Sequence, residues 1–254
     1  MKITVCQLPD ERAAFETSWR GLAAHVAAAR SELVLLPELP FHAWFCREKN
    51  FSPAVWAEVV AAHEHGLARL PELNAPLVLG TRAVTRGDSR LNVGYVWSRE
   101  QGLVDVHAKR YLPEEEGFFE ASWYHRGPAE FVAGQAGAAK VGFAICTELW
   151  AMDAARLYSR AGIHLLATPR ATDAQGVEKW ITGARTAAVV SGAFAISSNR
   201  HSEDYGFGGC GWIIDPDGMV LATTSAEKPF VTLDCDLAAA VEAKRTYPRY
   251  ALLG

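Results

Sequence analysis

The chain has 254 residues, 50% of them hydrophobic and 21% charged, a balance that excludes a disordered tail and gives one domain enough apolar surface for a large core. Its formal net charge of −4 and scattered basic residues leave no electrostatic footprint for nucleic acid. No apolar run approaches the ~20 residues that span a bilayer, and MKITVCQLPD meets Pro9 before any apolar signal core, so a cytoplasmic protein acting on a small molecule is the expectation.

Residues 3–8 read as a strand, about 11–30 as an Ala-rich helix, and LVLL (33–36) as a short buried strand of the kind covered on both faces. A helix over 53–70 opens with Pro53 in its first turn. PLVLGTRAV (76–84) and LNVGYVW (91–97) flank Gly87-Asp88 as a hairpin, and LVDVHAKRYL (103–112) adds a third strand. After an irregular, acidic and aromatic stretch over 113–128, the pattern restarts. VGFAI (141–145), IHLLAT (163–168) and FAISS (194–198) read as strands, separated by helices over 150–161 and 176–192. GGCGWIID, MVLATT and FVTLDCD follow as antiparallel strands, the first two joined by a turn at Pro216-Asp217-Gly218. Each half therefore runs β-α-β-α-β-β with no linker between them. Two such halves predict an α/β fold in which mixed sheets stack face to face with helices outside, as a single domain over 1–254.

Five cysteines, at 6, 46, 146, 210 and 235, form no CxxC pair, which argues against a disulfide framework or a zinc ribbon. Cys6 and Cys235 fall inside expected strands as inert core thiols, and Cys210 lies beside Gly209 and Gly211, near the expected pocket. The pairs His42/Cys46 and His63/His65 lack the further ligands a metal requires, so no metal site is expected.

Three side chains share a context: Glu38 in LVLLPEL, Lys109 in VDVHAKRYLP and Cys146 in VGFAICTELW each stand at or just past a strand's carboxyl end. Rigid sheets aim such ends at one pocket. Each residue alone reads as an ordinary loop acid, surface lysine or core thiol. Together they supply a base, a cation and a nucleophile, the minimum for covalent acyl transfer. A carboxylate can take the thiol's proton, and attack on an amide or nitrile builds negative charge that the Lys109 ammonium and the Thr147 backbone N–H are suited to hold.

The segments LLPELPF, HAKRYLP and AICTELW, in this order, resemble the three signatures of the nitrilase superfamily of carbon–nitrogen hydrolases. The likeness extends over ARLYSRAGIHLLATPRAT, EKWITGARTAAVVSGAFAISSNR and GGCGWIIDPDGMVLA, nearly the whole chain. It implies a four-layer αββα sandwich with Glu38 as general base, Lys109 as transition-state stabiliser and Cys146 as nucleophile, and chemistry that needs no cofactor. A second glutamate orienting the lysine and contacting the leaving nitrogen is implied as well. Glu120 in GFFEASWY is preferred over Glu116 in PEEEG for its aromatic neighbours.

Thr147 stands where many members carry an aromatic residue, and Glu148 follows it; this tilts the expectation from a nitrilase toward an amidase or carbamoyl hydrolase. Candidate substrate-binding residues are Thr147, Glu148, Arg170, Phe41 and Trp44, with Phe45, Tyr205 and Phe207 as further aromatic neighbours. Arg170 either grips a substrate carboxylate bidentately or forms a salt bridge on the rim. The competing readings are a nitrilase, an acyltransferase and an inactive scaffold. The resemblance also implies a homodimer, or a higher homo-oligomer built on it, paired through the helices after Cys146 and over 176–192, with the tail over 245–254 at the interface.

Overall fold

The structure is a computed structural model and describes residues 1–252. In chain order it contains β1 (Lys2–Pro9), α1 (Arg12–Ala29), β2 (Leu33–Leu35), α2 (Pro53–Ala68), β3 (Leu77–Arg86), β4 (Ser89–Ser98) and β5 (Gly102–Ala108). A small hairpin, β6 (Glu114–Glu115) and β7 (Phe118–Phe119), leads into one helical turn, α3 (Glu120–Trp123). The second half holds β8 (Gly134–Ala136), β9 (Ala139–Phe143), α4 (Met152–Ala161), β10 (Leu165–Arg170), α5 (Val177–Ser191), β11 (Phe194–Ser202), β12 (Phe207–Gly208), β13 (Trp212–Ile214), β14 (Val220–Thr223) and β15 (Phe230–Asp234). Helices α6 (Leu237–Ala243) and α7 (Arg249–Leu252) follow.

One mixed sheet has the order β5-β4-β3-β2-β1-β15, the other β8-β9-β10-β11-β13-β14, and β12 pairs with the end of β11. They join where the last residues of β1 pair in parallel with β11, Gln7 opposite Asn199 and Leu8 opposite Arg200. The alternation of side chains along each strand sorts the core into layers. Ile3, Val5, Leu33, Leu35 and Leu79 of the first sheet meet Val141, Phe143, Leu165, Ala167 and Ile196 of the second. On the outer face of the first sheet, Val34, Leu36 and Val78 pack under Phe15, Trp19, Leu22 and Val26, one stripe of α1 at helical spacing. Leu166, Ala195 and Ile214 do the same under α4 and α5. The result is the αββα sandwich that the sequence leads one to expect. Both faces of β2 and β10 are buried, which is why LVLL and LLAT carry no polar alternation. Truncating an inner residue such as Leu35 to alanine costs about 2–5 kcal/mol.

Several boundaries differ from the sequence pattern. The helix expected over 150–161 begins at Met152, because Cys146–Trp150 forms a 3₁₀ turn in which Glu148 turns back to the N–H of Ile145. Strand β11 continues four residues past Ser198, since Asn199, Arg200 and His201 find partners on β1. The stretch over 113–128, expected as irregular, contains the β6–β7 hairpin and α3. In the β3–β4 hairpin, Gly87 lies at φ 56°, in the left-handed region that favours glycine. Among the described residues no helix is long and apolar enough to cross a membrane.

Candidate active site

Strands β2, β5 and β9 point the same way, and their carboxyl ends deliver Glu38, Lys109 and Cys146. Glu38 follows β2 across Leu36 and Pro37; its N–H donates to the carbonyl of Arg170 at 3.2 Å, tying it to the end of β10 in the other sheet. Lys109 directly follows β5, held by its N–H to Asn92 O at 2.8 Å and its carbonyl to the N–H of Gly127 at 2.9 Å. Cys146 opens the 3₁₀ turn after β9 with φ 50°. A non-glycine residue in that region costs about 1–3 kcal/mol and persists only where its surroundings dictate it. Here the turn pushes the thiol out from the strand end.

The charged members lie together and out of solvent. Lys109 Nζ donates to Glu38 Oε1 at 2.7 Å and to both oxygens of Glu120, at 2.9 and 2.6 Å. All three side chains are fully buried, and Cys146 is 3% exposed with Sγ 4.0 Å from the carbonyl of Ala171. Asn92 Nδ2 donates to Glu38 Oε1 at 2.8 Å. Glu38 Oε2, by contrast, is buried without a partner. The carboxylate is thus pinned by one oxygen and free at the other.

Charge and burial set the protonation states. Burial pushes the Cys146 thiol up to about 12, and the Glu38 carboxylate beside it pushes the same way. Burial alone would pull the Lys109 ammonium down, but Glu120 and Glu38 outweigh it, so its pKa is well above the ordinary value. Burial raises Glu120 to about 8 against the opposing pull of Lys109. With Glu120 holding a proton at neutral pH, the cluster carries one ammonium against one carboxylate, the balance a dry site tolerates.

Glu120 opens α3, directly after β7, and Phe119 N–H donates to Cys46 O at 2.7 Å to fix that entry. Glu116, the alternative, lies exposed on the rim. Trp44, Phe118, Tyr205 and Phe207 line a depression of about 370 Å³, with Arg47, Glu48 and Glu116 around it. Trp44 and Phe207 belong to one packed cluster with Ala171, the residue whose carbonyl lies 4.0 Å from Cys146 Sγ.

Other candidates lie elsewhere. Phe41 packs under α1 and α2, its ring centroid 5.6 Å from that of Trp19 and 5.9 Å from that of His63, in the outer core and not at the site. It was expected beside Trp44; the chain turns at residues 40–42, and the two rings pack in different clusters. Glu148 is fully engaged by protein. Its oxygens meet His107 Nε2 at 3.0 and 2.9 Å and accept from the N–H groups of Arg110 at 2.7 Å and Ile145 at 2.9 Å. This clasps the segment carrying Lys109 to the one carrying Cys146 and leaves no oxygen for a substrate. Arg170 is buried under α5, with Cζ 3.9 Å from the Trp212 ring centroid, and donates to Ser197 Oγ, Thr172 Oγ1 and the carbonyl of Cys210. It forms no salt bridge on the rim and is closed to solvent. Burial without a carboxylate partner lowers its pKa to about 9. Thr147 is half-buried beside the nucleophile.

Cys46 Sγ lies 2.8 Å from Tyr124 Oη, both buried, while Cys210 is half-buried at φ 58° with its N–H on Gln7 Oε1. Among the described residues no group of three or more His, Cys, Asp or Glu could hold a metal ion. Asn92 and the buried pair Asp10–Arg200 escape sequence reasoning. The signal they offer is faint: a polar residue inside LNVGYVW, and an arginine just past an apolar strand.

Comparison with known proteins agrees with this architecture. The chain is 26% identical over 251 residues to the glutamine-dependent NAD(+) synthetase of Rhodobacter capsulatus, covering 94% of this chain and 44% of that protein. It is 27% identical over 177 residues to the citrullinase of Francisella tularensis subsp. tularensis, covering 67% of this chain and 61% of that protein. The matched region thus spans about half the length of these relatives. Among solved structures, a carbon–nitrogen hydrolase from Helicobacter pylori G27 superposes with a TM-score of 0.87 at 20% identity, over 99% of this chain and 94% of that one. The family model for carbon–nitrogen hydrolases matches residues 2–245, and the chain belongs to that family.

Proposed function

We propose that the protein is a thiol-dependent hydrolase that cleaves the C–N bond of a small-molecule amide or N-carbamoyl group through a cysteine thioester. The observation that carries this reading is the buried Glu38–Lys109–Glu120 cluster, whose charges act on the Cys146 sulfur while Glu38 Oε2 remains unpartnered.

A thiol held near 12 does not rest as thiolate, so its deprotonation is coupled to attack. Glu38 takes the proton as Sγ bonds to the carbonyl carbon. The negative charge leaves the carboxylate and ends on the substrate oxygen, where the Lys109 ammonium and the Thr147 N–H stabilise it. Collapse of the tetrahedral adduct breaks the C–N bond, and the departing nitrogen takes the proton from Glu38, with Glu120 contacting that nitrogen. Water then attacks the thioester, Glu38 again removes a proton, and the acid leaves as the thiol re-forms.

Glutamine carries a terminal amide and citrulline an N-carbamoyl amine, so the names of the two relatives support both substrate groups. Thr147 in place of an aromatic residue favours these over nitriles. The test is ammonia release from paired amides, N-carbamoyl amines and nitriles, with Cys146→Ala as blank and mass spectrometry for an acyl adduct on Cys146. Turnover that survives in Cys146→Ala, or confinement to nitriles, overturns the reading.

A further inference from the structure

We propose that Arg200, anchored by Asp10, is a positioning residue that sets the placement of the Glu38 carboxylate. This rests on Glu38 acting as the base toward Cys146.

Arg200 is 2% exposed and Asp10 1% exposed. Both enter from the junction of the two sheets, where Leu8 pairs with Arg200. The guanidinium spends its donors on the segment that carries the base. Nε donates to the carbonyl of Glu38 itself at 2.9 Å, and Nη2 to the carbonyls of Leu39 and of His42, the latter at 3.0 Å. Nη1 pairs with Asp10 Oδ1. Asp10 closes the circuit by accepting the N–H of Trp44 at 3.1 and 3.2 Å, and Arg200 Cζ lies 5.4 Å from the Trp44 ring centroid.

This is an unusual concentration of a planar, charged donor on one loop. Residues 38–44 have no regular secondary structure, and Leu39 adopts a left-handed conformation at φ 45°. Such a residue relaxes unless its neighbours over-determine it. Its N–H is held by Thr81 Oγ1 at 2.7 Å and its carbonyl by Arg200. Lys109 and Asn92 fix one oxygen of the Glu38 side chain, while Arg200 fixes the backbone from which that side chain departs. Without it, the unpartnered Oε2 has no defined aim. Arg200 touches neither the thiol nor a reacting atom, so its effect travels through the Glu38–Leu39 backbone and through Trp44 at the mouth.

The test uses the intact protein and reads Cys146 alkylation by iodoacetamide with peptide mass spectrometry, the half-buried Cys210 serving as internal control, alongside thermal unfolding. Arg200→Met leaves Asp10 buried and unpaired and is expected to lower the melting temperature as well as slow alkylation. The double variant Asp10→Asn/Arg200→Met removes the orphaned charge. It is expected to regain most of the melting temperature while alkylation stays about 100-fold slow, the order produced by a ~1 Å misplacement. Arg200→Lys, which reaches one carbonyl but not three, is expected to lie between wild type and Arg200→Met in alkylation rate. Alkylation that recovers together with the melting temperature reduces Arg200 to a structural residue and overturns the proposal. Glu38→Gln separates this from failure of the underlying reading. If it leaves Cys146 alkylation unchanged, both the base and its positioning residue fall; if it slows alkylation while the Arg200 variants do not, only the assignment of Arg200 falls.

Discussion

Replacing Lys109 by methionine is the most direct probe of the site, because it keeps the volume of the side chain and removes the charge between two buried carboxyl groups. The ammonium lies 2.7 Å from Glu38 and 2.6 Å from Glu120 with all partners at zero exposure. Breaking a buried pair by deleting one partner costs about 3–5 kcal/mol, which for a domain of this size corresponds to a melting shift of roughly 6–20 °C. Glu120 can escape part of that cost by keeping its proton. Burial already raises Glu120 to about 8 against the opposing pull of Lys109, and loss of that pull raises it further. A carboxyl whose folded pKa exceeds its unfolded value contributes stability that is full at low pH and lost as pH rises through the folded value. Wild type and variant both hold the Glu120 proton below about pH 8, so the deficit of Lys109→Met is steady from about pH 6 to 8 and grows toward pH 9.5, where wild type has released that proton and the variant keeps it, by up to about 1.4 kcal/mol per pH unit. Urea unfolding of wild type and variant across that range measures it. Amide turnover, if the ammonium holds the oxyanion, falls by about 10²–10³-fold. A deficit below about 1 kcal/mol, or one that does not grow above about pH 8, refutes the claim that Lys109 pairs with buried carboxyl groups and holds the pKa of Glu120 down.

Glu120→Gln is expected to remove part of the pH dependence of wild-type stability. With the folded pKa raised to about 8, wild type loses stability as pH climbs from the ordinary carboxyl range through 8, and unfolding curves for the variant should be flatter there; parallel curves count against a buried, protonated Glu120. Glu148→Gln puts an amide N–H where backbone N–H groups now donate, costing about 1–3 kcal/mol and lowering the melting temperature by roughly 2–12 °C. A change in KM at unaltered melting temperature would instead restore Glu148 to substrate contact. Arg170→Ala is expected to leave any preference for acid-bearing amides intact in a kinetic comparison, since the guanidinium is closed to solvent; loss of that preference with KM rising tenfold or more would place a substrate carboxylate against it. Met219, Leu221, Tyr247 and Tyr250 are 63%, 42%, 76% and 60% exposed, and Tyr247 and Tyr250 fall in the tail over 245–254, of which 253 and 254 lie outside the described residues. Light scattering is expected to give a dimer that Tyr247→Asp/Tyr250→Asp dissociates, and a wild-type monomer at micromolar concentration contradicts the pairing.

What was legible in this sequence follows from the range of the interactions involved. Glu38, Lys109 and Cys146 announce themselves because each interrupts an apolar strand at its carboxyl end, a feature contained within about ten residues, and parallel strands bring such ends to one edge without further instruction. Glu120 was selected by its aromatic neighbours, and it meets Lys109 because a two-residue hairpin and one helical turn fold a seemingly irregular loop back on the site. Phe41 and Trp44 share the same local pattern and part company across the turn at residues 40–42, which no composition rule predicts and which leaves one ring in the outer core and the other lining the depression. The residues that hold the reactive groups in place are less visible still. Asn92, Glu148 and the Asp10–Arg200 pair act on partners 38 to 190 positions away, and each presents in sequence as an ordinary polar residue beside a strand. Reactive side chains must be of particular types, so type and local context betray them. Positioning groups need only be the right donor in the right place, and the place exists only once the two sheets have met.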